Sequence, residues 1–175
     1  GDAGGETRRI EERLGKLFEA QGFRVALNWH PPAESYPNAG EVDLICARDG
    51  IVLVMEVKST FLRSSQRDAW LHATTTLRKA GQQISRKVSA VRRALADEVE
   101  LSSSLGIDNL AAPLTMHGWI VDTSIEHDHQ RFGGFLKVSL EEVLIALRDD
   151  RHLLNDPDGI ISGRHLDIES EKMND

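Results

Sequence analysis

Asp43, Glu56 and Lys58 are the residues whose types and spacing best suit chemistry. They lie in two β-rich runs, Glu41-Val-Asp-Leu-Ile-Cys-Ala-Arg48 and Ile51-Val-Leu-Val-Met-Glu-Val-Lys58, joined by Asp49-Gly50. An Asp-Gly pair between such runs signals a two-residue hairpin, and that turn fixes the register. With Arg48 facing Ile51, Asp43 falls opposite Glu56, and Glu41 opposite Lys58. Side chains alternate along a strand, so all four share one face. Opposed carboxylates repel each other. Setting them beside a lysine invites a cation between them, which is the arrangement of a metal-dependent site. The competing reading is a surface coincidence with an exposed Glu41–Lys58 ion pair, worth little in water. The apolar run Ile51 to Met55 favours a central, buried strand instead.

The elements that must position these residues follow from periodicity. Ile10, Leu14, Leu17 and Phe18 recur at helical spacing and predict a helix from about Glu6 to Gln21, stopped by Gly22. Phe23 to Trp29 reads as a strand, broken by His30-Pro31-Pro32, with a loop to Gly40. After the hairpin, Trp70, Ala73, Leu77, Ala80, Ile84, Val88, Val91 and Leu95 recur at steps of three and four. They predict a long helix over 65–96 with Trp70 opening its core stripe. Glu98 to Pro113 reads as loop with a short helical piece, and Met116 to Asp122 and Gly134 to Val138 as strands. Ser139 and Glu142 form a capping box for a helix running to about Asp150. Residues 1–151 then make one α/β domain, a helix, three strands, a long helix and further strands around a mixed sheet. Residues 152–175 are acidic and weakly patterned, and are expected to be peripheral or partly disordered. Gly1 to Gly5 reads as a flexible leader, and the chain can be a whole protein or a domain of a larger one.

The composition, 40% hydrophobic and 28% charged, is that of a globular domain. Its longest apolar run is too short for a membrane span or a signal-peptide core. The single Cys46 excludes an internal disulfide and a cysteine zinc site, and fits a reducing cytoplasm. It lies on the face of its strand opposite Asp43 and reads as a buried thiol. The net charge of −7 is unevenly spread. Residues 59–96 hold eight basic side chains against Asp68 alone, whereas residues 97–175 hold seventeen acidic against six basic. The segment after Lys58 is thus suited to neutralise phosphates, although a solvated helix face balanced by the acidic half has the same composition.

The spacing Asp43, twelve residues, then Glu56-Val57-Lys58 resembles the PD-(D/E)XK nuclease superfamily of restriction enzymes, Holliday-junction resolvases and repair nucleases. The predicted element order matches that family's α-β-β-β-α-β core across about residues 6–123. The proline that often precedes the first aspartate is replaced by Val42. The resemblance implies a Mg²⁺-dependent nuclease acting on DNA, with Mn²⁺ able to substitute. Asp43, Glu56 and the Val57 carbonyl would be the metal ligands. Lys58 would orient or deprotonate a water, or stabilise the transition state. Relatives often add an acid on the first helix; Glu6, Glu11 and Glu12 compete, and Glu11 flanks the core stripe eleven residues before Gly22-Phe23. They also often add a glutamine or lysine on the later helix. Gln83 lies closer to the core face than Gln82 and is the better supporting residue. Lys79, Gln83 and Lys87 form one row on that helix. Lys79, Arg86 and Lys87 are the expected nucleic-acid contacts. A single site cuts one strand, so double-strand cleavage would call for a homodimer.

Neutralising Asp43 or Glu56 is expected to leave the fold intact, or to stabilise it by relieving repulsion. Glu126-His127-Asp128-His129 reads as a polar loop rather than a second metal site. His30, His72, His117, His152 and His165 have no useful partner spacing, and Trp29 and Trp119 read as core. A catalytically silent nuclease-like domain that binds nucleic acid or a partner is the alternative function. Phosphate-binding and dinucleotide-binding glycine loops and a serine-nucleophile elbow are absent from the sequence.

Overall fold

The computed structural model describes residues 5–59, 66–107, 113–148 and 150–161. Helix α1 (Gly5–Ala20) leads into β1 (Arg24–Trp29), β2 (Val42–Arg48) and β3 (Ile51–Lys58). Helix α2 (Gln66–Asp97) and α3 (Val99–Ser104) connect these to β4 (Thr115–Asp122), β5 (Arg131–Phe132) and β6 (Phe135–Ser139). Helices α4 (Leu140–Ala146), α5 (Asp150–Asn155) and α6 (Pro157–Ile161) follow. The strands form one mixed sheet in the order β1-β2-β3-β4-β6-β5. β1, β2 and β3 are antiparallel neighbours, β3, β4 and β6 are parallel, and β5 returns antiparallel to β6.

β3 is central and buried on both faces, which is why Ile51 to Met55 is continuously apolar. Val52 and Val54 join Ile120 and the α2 residues Leu77, Ile84 and Val91 in one core layer. Leu53, Met55 and Val57 join Val121, Leu14 and Phe18 in the other. Burying a side chain such as Phe18 contributes about 2 kcal/mol. Gly22, with φ of 85°, ends α1: its N–H reaches Glu19 O and the Phe23 N–H reaches Phe18 O. That paired bonding satisfies carbonyls the helix leaves open. Asp49 and Gly50, at φ of 51° and 80°, make the tight turn that pairs Arg48 with Ile51.

Three expectations are corrected. Trp70 does not join the α2 core stripe; it is 53% exposed. The stripe becomes buried at Leu77, where α2 passes over the sheet. The two-residue strand β5 was not expected, being too short for a periodicity signal. Residues from 152 onward are not peripheral as a block, because α5 and α6 put Leu153 and Ile161 into the α1-side core. These two helices of six and five residues are below the length that a helical period can reveal. Residues 162–175 lie outside the described residues.

Candidate active site

The hairpin register runs as expected from Arg48↔Ile51 to Leu44↔Met55, and there the two strands part. Antiparallel geometry aims the Val57 N–H and C=O together at β2. The N–H is taken by the Asp43 carboxylate, Val57 N to Asp43 Oδ2, at 2.9 Å. Asp43 is fully buried, and this bond gives its carboxylate a backbone partner. The Val57 carbonyl is directed to the same side.

Side-chain alternation slips at this point. Val42 packs in the α2-side layer with Ile45 and Ala47, although Leu44, two residues on, lies in the α1-side layer. The same slip occurs in the neighbouring strand. Leu27 is among the closest neighbours of Gly15 in α1, while Trp29 packs on the α2 side. Between them Asn28 adopts a left-handed φ of 49°, opposite Asp43 in the register. Asparagine tolerates that region better than most residues, and such conformations concentrate at functional sites. The turn sends Asn28 Nδ2 to Glu11 Oε2 at 2.9 Å.

Glu11, from α1, is 2% exposed; Glu6 and Glu12 are exposed. Burial raises its proton affinity above the usual glutamate range; the Asn28 bond opposes this, and the charge of Asp43 adds to it. The charge of Asp43 is thus felt at Glu11.

Glu56 is 2% exposed, and its two oxygens face two ammonium groups. Lys58 Nζ lies 3.5 Å from Oε1, and Lys87 Nζ lies 2.5 Å from Oε2. This corrects two readings. Lys87 is not an exposed phosphate contact; it is 5% exposed and reaches inward from α2 to the site. Neutralising Glu56 would also leave Lys87 buried without its counter-charge, so relief of repulsion is not the governing effect. The Glu41–Lys58 pairing is likewise replaced, since Glu41 lies 3.7 Å from His30.

Of the other expected residues, Gln83 lies half-buried on the flank of α2, whereas Gln82 is exposed. Lys79 and Arg86 are exposed. Arg86 lines a groove of about 290 Å³ with Ser85, Ser89 and Arg93, whose guanidinium stacks 5.2 Å from the Tyr36 ring. Cys46 is buried, which pushes its thiol well above the usual range. The loop at Glu126 to His129 is tied by polar bonds. Lys137, itself fully buried, donates to Asp128 and to the Ser124 carbonyl, both at 2.5 Å, and His129 pairs with Glu142 at 2.7 Å. His117 finds Asp158 at 3.5 Å. Among the described residues no group of three His, Cys, Asp or Glu side chains is arranged around a single metal position.

Sequence reasoning missed Asn28, the inward role of Lys87, and Asp122. Asp122 is buried and stands beside Lys58 in the parallel register. The signal for Asp122 was its place at the carboxyl end of a parallel strand, the usual position of α/β sites. No protein-family model and no curated protein matches the chain. Among the described residues no helix is long and apolar enough to cross a membrane.

Proposed function

We propose that this chain is a metal-dependent nuclease that hydrolyses DNA phosphodiester bonds, similar to the PD-(D/E)XK superfamily. The observation that carries this reading is the buried Asp43 bonded to the Val57 N–H, next in sequence to a buried Glu56 that faces Lys58 and Lys87, where the hairpin strands part. Buried charge is costly unless a structure or a reaction uses it. Hard oxygen donors from Asp43, Glu56 and the Val57 carbonyl suit Mg²⁺ or Mn²⁺, since Mg²⁺ commonly takes only one or two carboxylates and keeps its waters. Such an ion would supply an activated water and neutralise charge on the phosphate.

The chain's own groups do the rest. Lys58 holds a fixed positive charge beside Glu56 and can orient a water or a phosphoryl oxygen. Glu11, with its raised proton affinity and its bond to Asn28, can accept a proton near Asp43. Lys87 balances the charge of Glu56, and Glu56 would hold an ion only if Lys87 gave way. Double-strand cleavage would come from a homodimer. The lone buried Cys46 suits a reducing cytoplasm.

The test is cleavage of linear, nicked, single-stranded and branched DNA with Mg²⁺, Mn²⁺ or EDTA, with Asp43→Asn and Lys58→Ala alongside. Metal-dependent cutting that both variants lose is expected. Absence of cutting on every substrate with either metal would reject the reading. One observation favours a second reading: Lys87 Nζ sits directly on the Glu56 oxygen that a metal would use. A catalytically silent domain would then bind nucleic acid through α2, in a salt-sensitive and metal-independent way.

A further inference from the structure

A groove of about 580 Å³ lies between the N-terminal half of α2 and the segment that enters the β5–β6 hairpin. Its walls include Trp70, Arg78, Gln82, His127, Arg131 and Phe132. Two glycines build it. A Cβ on Gly81 would fall 2.5 Å from the Phe132 carbonyl carbon, and Gly133, at φ of 60°, faces Gly81 from the hairpin. This close backbone approach, which a side chain at either position would block, brings the hairpin against α2. His127, also left-handed at φ of 60°, is wedged between aromatic rings. Its ring centroid lies 6.0 Å from Trp70 and 6.3 Å from Phe132, and its Nε2 lies 3.4 Å from Thr74 Oγ1.

Trp70 is thus held on one side while over half of its surface stays open. A tryptophan left open beside two guanidiniums needs a chemical reason. No acidic residue lines the groove among the described residues. Aromatic faces interleaved with arginines and amides suit an unpaired base that stacks while its phosphates meet cations. A duplex hides its base faces and gains less from such a surface. The volume is that of a small-ligand pocket.

We propose that this groove binds single-stranded nucleic acid, with a base stacked on Trp70 and phosphates on Arg78 and Arg131. The groove is distinct from the carboxylate cluster: Arg78 and Lys87 are nine residues apart and leave α2 on opposite sides. The inference goes beyond the nuclease reading, because stacking needs neither metal nor cleavage.

The experiment is fluorescence anisotropy of labelled oligo-dT and oligo-U in EDTA, against a duplex of equal length, so a failed cleavage assay has no bearing on it. Trp70→Ala should weaken single-strand binding about tenfold, with Trp70→Phe retaining most of it. Arg78→Ala and Arg131→Ala should weaken it and flatten its salt dependence. Duplex binding should change by less than about twofold with Trp70→Ala, since duplex bases are not open to stack. Binding of either oligonucleotide that depends on Trp70 supports the groove. Unchanged affinity of Trp70→Ala for both, or an equal loss on duplex, would overturn the proposal.

Discussion

Glu56 illustrates how one side chain can be both a ligand candidate and a structural charge. Its buried carboxylate has Lys87 at 2.5 Å and Lys58 at 3.5 Å. Glu56→Gln should cost about 3 kcal/mol by urea unfolding without metal, because Lys87 stays buried and unbalanced. The double variant Glu56→Gln/Lys87→Met should recover much of that loss; strictly additive losses would show that the pair is not coupled. Glu11 behaves differently. Its folded-state proton affinity is raised, so its contribution to stability is full at low pH and is lost as pH rises through the folded-state value. Glu11→Gln should therefore match the wild type near about pH 3 and exceed it near about pH 7. A variant less stable at both pH values would contradict this. Asp43, Glu56, Lys58 and Glu11 were legible because hairpin arithmetic and helical spacing are local. Asn28, Lys87 and Asp122 were not. Their placements depend on a left-handed turn, on where α2 rests along the sheet, and on a parallel register, none of which is written in neighbouring residues.

At the scale of elements, the Asp-Gly hairpin and the apolar stripe of α2 were readable because each repeats a period several times. β5, α5 and α6 contain too few residues to do so. The packing of the β5–β6 hairpin on α2 was also hidden, since a glycine in a helix signals weakness before it signals contact. Here the contact decides. Gly81→Ala should destabilise the fold by about 2 kcal/mol, although alanine is the better helix former, because the obstructing atoms are backbone. A melting temperature equal to or above that of the wild type would show that the hairpin can move aside freely. The parting of β2 from β3 after Leu44↔Met55 is the element-level counterpart of the site. It turns one rung of the ladder into a carboxylate bond.

For the whole molecule, overall charge is a poor guide to partners. The chain carries a net −7, yet Arg78, Arg86 and Arg93 stand exposed along α2. Nucleic-acid affinity should fall with salt with a logarithmic slope of about −3, and a slope near zero would exclude α2 as the contact. The described end of the chain is held to the sheet by Asp158, which accepts from Trp119 Nε1 at 2.8 Å. Burial alone would raise its proton affinity, but the bonds from His117 and Trp119 carry it below the usual aspartate range. Its stabilising contribution is present above that range and lost as pH falls through the folded-state value. Asp158→Ala should thus cost about 1–3 kcal/mol near neutral pH, with the difference from wild type shrinking in acid. A cost that does not change with pH would deny the linkage. Finally, the lysines fall into classes of chemical accessibility. Lys16 and Lys79 lie open, while Lys87 and Lys137 are enclosed. An amine-reactive label read by mass spectrometry should mark the first pair quickly and the second slowly. If a cation takes the Glu56 oxygen from Lys87, that lysine alone should become fast. Lys137, clasped by Asp128 and the Ser124 carbonyl, would stay slow and serve as the internal standard.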